Sequence, residues 1–267
     1  MDQLKIRDAQ KLQSETVLVM QGGGSLGAYE CGVYKTLAKR GIKFDIIAGT
    51  SIGAVNASII AGSKNDVEPA AQLEDFWLNV AEKITPSVLP DGLRCMVSSM
   101  HAATYGNMNI FMPLWFMMPN PNENYFSYYR SPYLYSITPL KKTLLKYIDF
   151  ARLSNPDTRP RLVITSTDIQ KSESVTFDSK FISIDTDHII ACAGFPFYGI
   201  AWTEKDGRYL WDGSLQSNTP LREVIDASFL MILEIVLGKL ITRDILIQTS
   251  SLIRNCLLCE LHTLSSL

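Results

Sequence analysis

Short, wholly apolar runs alternate with longer amphipathic ones in the first quarter of the chain, and the two patterns predict different elements. Val17-Leu18-Val19-Met20 is apolar at every position and predicts a strand that ends at Gly22-Gly23-Gly24. Apolar residues then recur at helical spacing at Leu26, Tyr29, Val33 and Leu37, with Lys35, Lys39 and Arg40 left for the solvent face. Gly41 stops that helix. Lys43 to Ala48 predicts a second strand, and Ala54 to Ala61 a buried helix. A strand, helix and strand in this order are most simply a right-handed parallel crossover. The all-apolar character of both strands suits a sheet covered on its two faces.

Further along, Leu73, Trp77, Val80 and Ile84 form one stripe of a helix predicted over 66–83. The stretch 86–139 breaks the rhythm. It holds Pro113, Pro119, Pro121 and Pro132, several methionines, and the aromatics Trp115, Phe116, Tyr125, Phe126, Tyr128, Tyr129, Tyr133 and Tyr135, without strong periodicity. It predicts an irregular inserted cap, since a linker would be more polar. Its aromatics and methionines suit contact with acyl chains, or simply pack the cap onto the core. Regular patterning resumes with a helix from Pro139 to Tyr147 and strands over Arg161–Thr167 and Ser174–Phe177. Asp187 to Ala193 predicts a short helix broken by Gly194, and a last strand, Arg208–Trp211, delivers Asp212-Gly213-Ser214.

Composition narrows the class. With 267 residues, 46% hydrophobic and 19% charged, the chain can bury a sizeable core. A net charge of −2 gives no support for nucleic-acid binding. The polar N-terminus lacks a signal-like apolar core. Phe229 to Leu237, the most apolar stretch, is too short to span a bilayer and carries Glu234, so it reads as a buried strand or helix. The expectation is a cytoplasmic or peripheral membrane protein. The five cysteines are scattered, and Cys256 and Cys259 form a lone CxxC without further ligands, so neither a disulfide framework nor a metal site is expected.

The densest chemistry is Gly49-Thr50-Ser51-Ile52-Gly53, a G-x-S-x-G set between an apolar strand and a helix. That context is the nucleophile-elbow pattern: glycines permit a sharp turn, and the serine hydroxyl stands at the top of the sheet before a helix N-terminus. Gly22-Gly23-Gly24-Ser25-Leu26-Gly27 admits two readings. As G-x-G-x-x-G with Asp45 downstream it fits a dinucleotide fingerprint, which would make the chain an oxidoreductase. As a donor-rich loop beside a serine, Gly22, Gly23 and Gly24 make an oxyanion hole. The second is favoured, because Asp45 lies near the start of its strand rather than the end. A base for Ser51 is harder to find. None of His101, His188 and His262 has a triad setting; His188 reads first as a capping or packing residue, with the role of base as its other reading. Asp212, at a strand end before a tight turn, has the required setting; partial burial would raise its proton affinity.

Together these segments resemble the patatin-like phospholipases. The resemblance rests on Gly22 to Tyr29, Gly49 to Ala57, Asp212-Gly213-Ser214, Ala191 to Pro196 and Asn218-Thr219-Pro220-Leu221, and it runs from about Val17 to Asp226. It implies a Ser–Asp dyad without histidine and an acyl-enzyme intermediate, with Ser51 as nucleophile, Asp212 as base and the Gly22–Gly24 turn as oxyanion hole. Leu26 stands where many members carry a basic residue, and Ser214 where glycine or alanine is usual. The fading after Asp226 points to a truncated, frameshifted or divergent ending.

The chain is thus expected to be a three-layer α/β/α sandwich with a mainly parallel sheet. A tail (1–14) precedes an acyl-hydrolase domain (15–228, with the cap at 86–139), and a divergent segment (229–267) follows. Its expected substrate is a phospholipid or another lipid ester, met through transient membrane-surface contact, with no cofactor. A catalytically weak lipid-binding or effector protein is the further alternative.

Overall fold

The computed structural model describes residues 15–64, 68–82, 90–116, 133–227 and 230–235. Its centre is a seven-stranded sheet. The chain enters through β1 (Glu15–Met20), turns at the glycines, and forms α1 (Gly27–Lys39), β2 (Ile46–Thr50) and α2 (Ile52–Ala61). β1 and β2 pair in parallel, as the crossover pattern predicts. Beyond them lie α3 (Pro69–Glu82), α4 (Asp91–Tyr105), the short pair β3 (Met112–Pro113) and β4 (Tyr135–Ser136), α5 (Thr138–Tyr147) and α6 (Phe150–Leu153). The sheet resumes with β5 (Arg161–Asp168) and β6 (Glu173–Asp178). After α7 (Thr186–Ala193) come β7 (Thr203–Lys205), β8 (Arg208–Asp212), α8 (Leu221–Ala227) and β9 (Leu230–Ile235).

Side-chain alternation along β1 makes the layers. Leu18 and Met20 join Ile47, Leu162 and Ile164 in the larger core, packed against buried residues of α1, α2, α3, α5 and α7. Val17 and Val19 point the other way, into a smaller cluster with Ile46, Ala48, Val163 and Val224 of α8. Both faces are therefore covered, giving an α/β/α sandwich. β9, β1, β2 and β5 run parallel, while β6, β7 and β8 are antiparallel to their neighbours. Each fully buried Leu or Ile of these strands contributes about 1.5–3 kcal/mol.

Three features of the structure bear on the sequence reading. β2 extends through Thr50, because its ladder with β5 continues to Thr165. Asp91–Tyr105 is helical, although it lies in the stretch expected to be irregular. Leu93, Met96, Val97 and Met100 do recur at helical spacing, a short stripe that the prolines and aromatics of the rest of this stretch obscure; Leu93, Met96 and Met100 are exposed in the structure. Past Asp226, Leu230–Ile235 adds a parallel strand beside β1, the strand alternative for the apolar stretch there. Tyr125, Phe126, Tyr128, Tyr129, His262, Cys256 and Cys259 lie outside the described residues.

Candidate active site

β5 decides where the chemistry gathers. Thr165 pairs with both Thr50 and Thr176, and Ser166 with both Asp212 and Val175. A strand has two flanks, and β6 occupies one of them along this whole length, so β2 and β8 share the other. They approach from opposite ends: β2 stops at the level of Thr165, and β8 comes down to the level of Ser166. Ser51 follows Thr50 directly, so the topology delivers Ser51 and Asp212 to one point. The Thr50 and Thr165 hydroxyls, 2.6 Å apart, and the Thr167 hydroxyl, which donates to the Asp212 carbonyl at 3.0 Å, pin both strand ends.

Ser51 has φ 55° and ψ −126°, a left-handed conformation that a non-glycine residue adopts at a cost of about 1–3 kcal/mol. The elbow is tight enough to demand its glycines. A Cβ on Gly49 would sit 2.2 Å from the Gly53 carbonyl oxygen, and one on Gly53 would sit 2.4 Å from that of Met20. Fully buried Ala54, Val55, Ala57 and Ile59 anchor the helix that follows.

Asp212 is fully buried. Its Oδ1 accepts from the Ser214 hydroxyl at 2.6 Å and the Ser214 backbone N–H at 2.9 Å. Among the described residues Oδ2 accepts no hydrogen bond. Burial raises the Asp212 pKa above its ordinary value, and the hydroxyls of Ser214 and Ser51 draw it back. Ser51 is thus close enough to act on the carboxylate without closing a hydrogen bond. Gly213 must be glycine, because a Cβ there would lie 2.5 Å from the Thr165 carbonyl oxygen. Ser214 is not in a positive-φ conformation, so serine at this position brings no backbone strain.

The glycine turn abuts the elbow: a Cβ on Gly22 would come within 3.0 Å of the Ser51 Cβ. Gly22 departs from the expected role, because its N–H donates to the Asn218 carbonyl at 3.1 Å and cannot also hold an oxyanion. Asn218 returns a side-chain hydrogen bond to the Gly22 carbonyl at 3.2 Å. Gly23 and Gly24 donate to no acceptor among the described residues, and Gly24 is exposed with φ 58°. Leu26 closes the turn by donating its N–H to the Gly23 carbonyl.

The other sequence candidates are placed elsewhere. Asp45 accepts the Thr16 N–H at 2.8 Å, at the end of the sheet remote from the glycine turn, so it does not supply the ribose contact of a dinucleotide site. His188 completes a capping box with Asp185, packs on Phe177 and turns Nε2 toward Asp206. His101 stacks on Tyr105 of its own helix. Trp115 and Phe111 pack on Tyr135, the packing reading of the cap aromatics. Exposed Phe197 and Tyr198 follow Gly194, whose carbonyl accepts the Asp212 N–H.

Sequence reasoning missed three polar residues. Fully buried Glu30 accepts from the Gln21 N–H at 2.8 Å and from Asn56 Nδ2 at 2.9 Å; Asn56 also donates to the Gly27 carbonyl and accepts from the Trp77 indole. Glu30 lies on the turn-proximal half of a helix and Asn56 one turn past Ser51, both amid apolar neighbours. A buried polar pair in that setting was the available signal. The third, Ser214, was noticed only as a departure.

A family model described as "Patatin-like phospholipase" matches residues 18–225. Among curated proteins, lysophospholipase nte1 of Aspergillus terreus is 48% identical over 91 residues, covering 31% of this chain and 6% of that protein. Triacylglycerol lipase SDP1L of Arabidopsis thaliana is 39% identical over 62 residues, 23% of this chain and 8% of that protein. The matches thus span less than a tenth of these relatives' length. The crystal structure of VipD from Legionella pneumophila superposes with a TM-score of 0.46 at 16% identity, covering 83% of this chain and 50% of that one.

Proposed function

The chain belongs to the patatin-like phospholipase family, and from that membership we propose that it hydrolyses fatty-acyl ester bonds of phospholipids or related lipid esters, with Ser51 as nucleophile and Asp212 as base. The observation that carries the reading is the head-on meeting of β2 and β8 on one flank of β5, which sets a strained serine beside a buried carboxylate. The names of the relatives, lysophospholipase and lipase, support the substrate class.

In the proposed cycle Asp212 Oδ2 takes the proton as Ser51 Oγ attacks the ester carbonyl. The carbonyl oxygen becomes an oxyanion facing the N–H groups of Gly23 and Gly24 and the N-terminus of α2. Collapse breaks the ester bond, the alcohol leaves with the proton held by Asp212, and the acyl group stays on Ser51. Water then attacks the acyl-enzyme, gives its proton to Asp212, and the fatty acid departs as Oγ is reprotonated. A carboxylate can be the only base because its burial raises its proton affinity. Phe197 and Tyr198, exposed beside the Asp212 strand, offer an apolar surface for the lipid.

Release of fatty acid from phosphatidylcholine vesicles and from a lysophospholipid tests this function. The expected result is release by wild type and none by Ser51→Ala. Vesicle binding without release would favour the lipid-binding alternative.

A further inference from the structure

We propose that Glu30 is a positioning residue whose carboxylate fixes the glycine turn to the helix that carries Ser51. Three features of the geometry support it. β1 ends at Met20, so the Gln21 N–H loses its place in the sheet ladder just before the turn, and Glu30 Oε1 takes it at 2.8 Å. Glu30 Oε2 accepts from Asn56 at 2.9 Å, and the same Asn56 nitrogen donates to the Gly27 carbonyl at 2.9 Å. One carboxylate and one amide thus hold the residues on either side of Gly22–Gly24 against α2.

The arrangement is costly as mere packing. Glu30 has no exposed surface and, among the described residues, no hydrogen-bonded cation. On its own helix Lys35 pairs with Glu74 of α3; α3 also carries Asp75 and Glu82, while α2 and β2 carry no charge. An apolar residue would cost less in such a place. What the carboxylate does, and an apolar residue cannot, is accept from two elements at once. Asn56 cannot rotate to make up for a change at residue 30, because its Oδ1 accepts from the Trp77 indole at 3.0 Å.

The proposal rests on the dyad reading for its catalytic consequence, though not for its structural one, and Glu30→Gln tests the two separately. Glutamine keeps the volume but offers one acceptor where two donors converge. Amide hydrogen exchange over residues 20–27 should accelerate by about tenfold, the size of one lost buried hydrogen bond. On a soluble short-chain p-nitrophenyl ester, kcat should fall by about tenfold or more while KM stays within about threefold, because the substrate still binds a misplaced turn. Should Glu30→Gln fold poorly, Trp77→Phe releases Asn56 to rotate and should move both readouts in the same direction by less. Unchanged exchange at 20–27 overturns the proposal, as does faster exchange with an unaltered kcat. Absence of Ser51-dependent turnover in wild type would instead overturn the dyad, and the exchange result would still decide whether Glu30 holds the turn.

Discussion

Thr50 and Asp212 occupy successive levels on one flank of β5, opposite Thr165 and Ser166. Two strands running toward each other therefore end at the same place, one followed by the candidate nucleophile and the other ending in the candidate base. The spacing depends on Gly213, which lies against the Thr165 carbonyl. Gly213→Ala should force the Asp212 turn away from β5 and lower kcat/KM by about 100-fold, the scale of a displacement near 1 Å. Steady-state hydrolysis of a short-chain ester, with circular dichroism as the folding control, checks this.

Ser51 is held in a strained conformation, and glycine would relieve it. Ser51→Gly should abolish hydrolysis yet raise stability by about 1 kcal/mol, whereas Ser51→Ala should abolish hydrolysis with the strain retained. Urea unfolding of the two variants side by side measures the difference. Equal midpoints would contradict the strain.

Ser214 holds Asp212 Oδ1 through both its hydroxyl and its backbone N–H. The hydroxyl lowers the carboxyl pKa against the raising effect of burial. If Asp212 is the base of the proposed dyad, activity should be lost as pH falls through the Asp212 pKa, which lies above the ordinary carboxylate value. Ser214→Ala removes one lowering influence and should move this acid limb to higher pH. The pH profile of kcat/KM reads the shift, and a limb that stays in place would rule the tuning out.

Burial pushes the Glu30 pKa up to about 8 from 4.5. The folded state then holds its proton more tightly than the unfolded chain does. Stability from this group is fully present below about pH 4.5 and is lost as pH rises toward about 8. Glu30→Gln should flatten that decline. Thermal midpoints between pH 5 and 8 give the slope, and a wild-type midpoint that does not fall over this range would contradict the assignment.

Much of this was legible in the residues. Apolar strands covered on both faces, such as Val17–Met20, declare a sandwich, and G-x-S-x-G between strand and helix declares an elbow. Other parts were not legible, for identifiable reasons. The stripe of α4, Leu93, Met96, Val97 and Met100, is short and is obscured by the unpatterned prolines and aromatics that follow it. The commitment of the Gly22 N–H to Asn218 joins residues far apart in the chain, and nothing local to the glycine turn announces it. The Glu30–Asn56 contact likewise exists only once α1 and α2 pack, although each residue is conspicuous as a polar group among apolar neighbours.

In the proposed mechanism Ser51 and Asp212 act as one unit. Its most direct measurement is fluorophosphonate labelling followed by peptide mass spectrometry, in wild type and in Asp212→Asn. Asparagine keeps the shape and an acceptor for Ser214 but cannot take the serine proton. A single adduct on Ser51 is expected in wild type, with labelling slowed by at least about 1,000-fold in Asp212→Asn, the scale on which a required base acts. Labelling of another serine, or of Ser51 at the wild-type rate in Asp212→Asn, would contradict it.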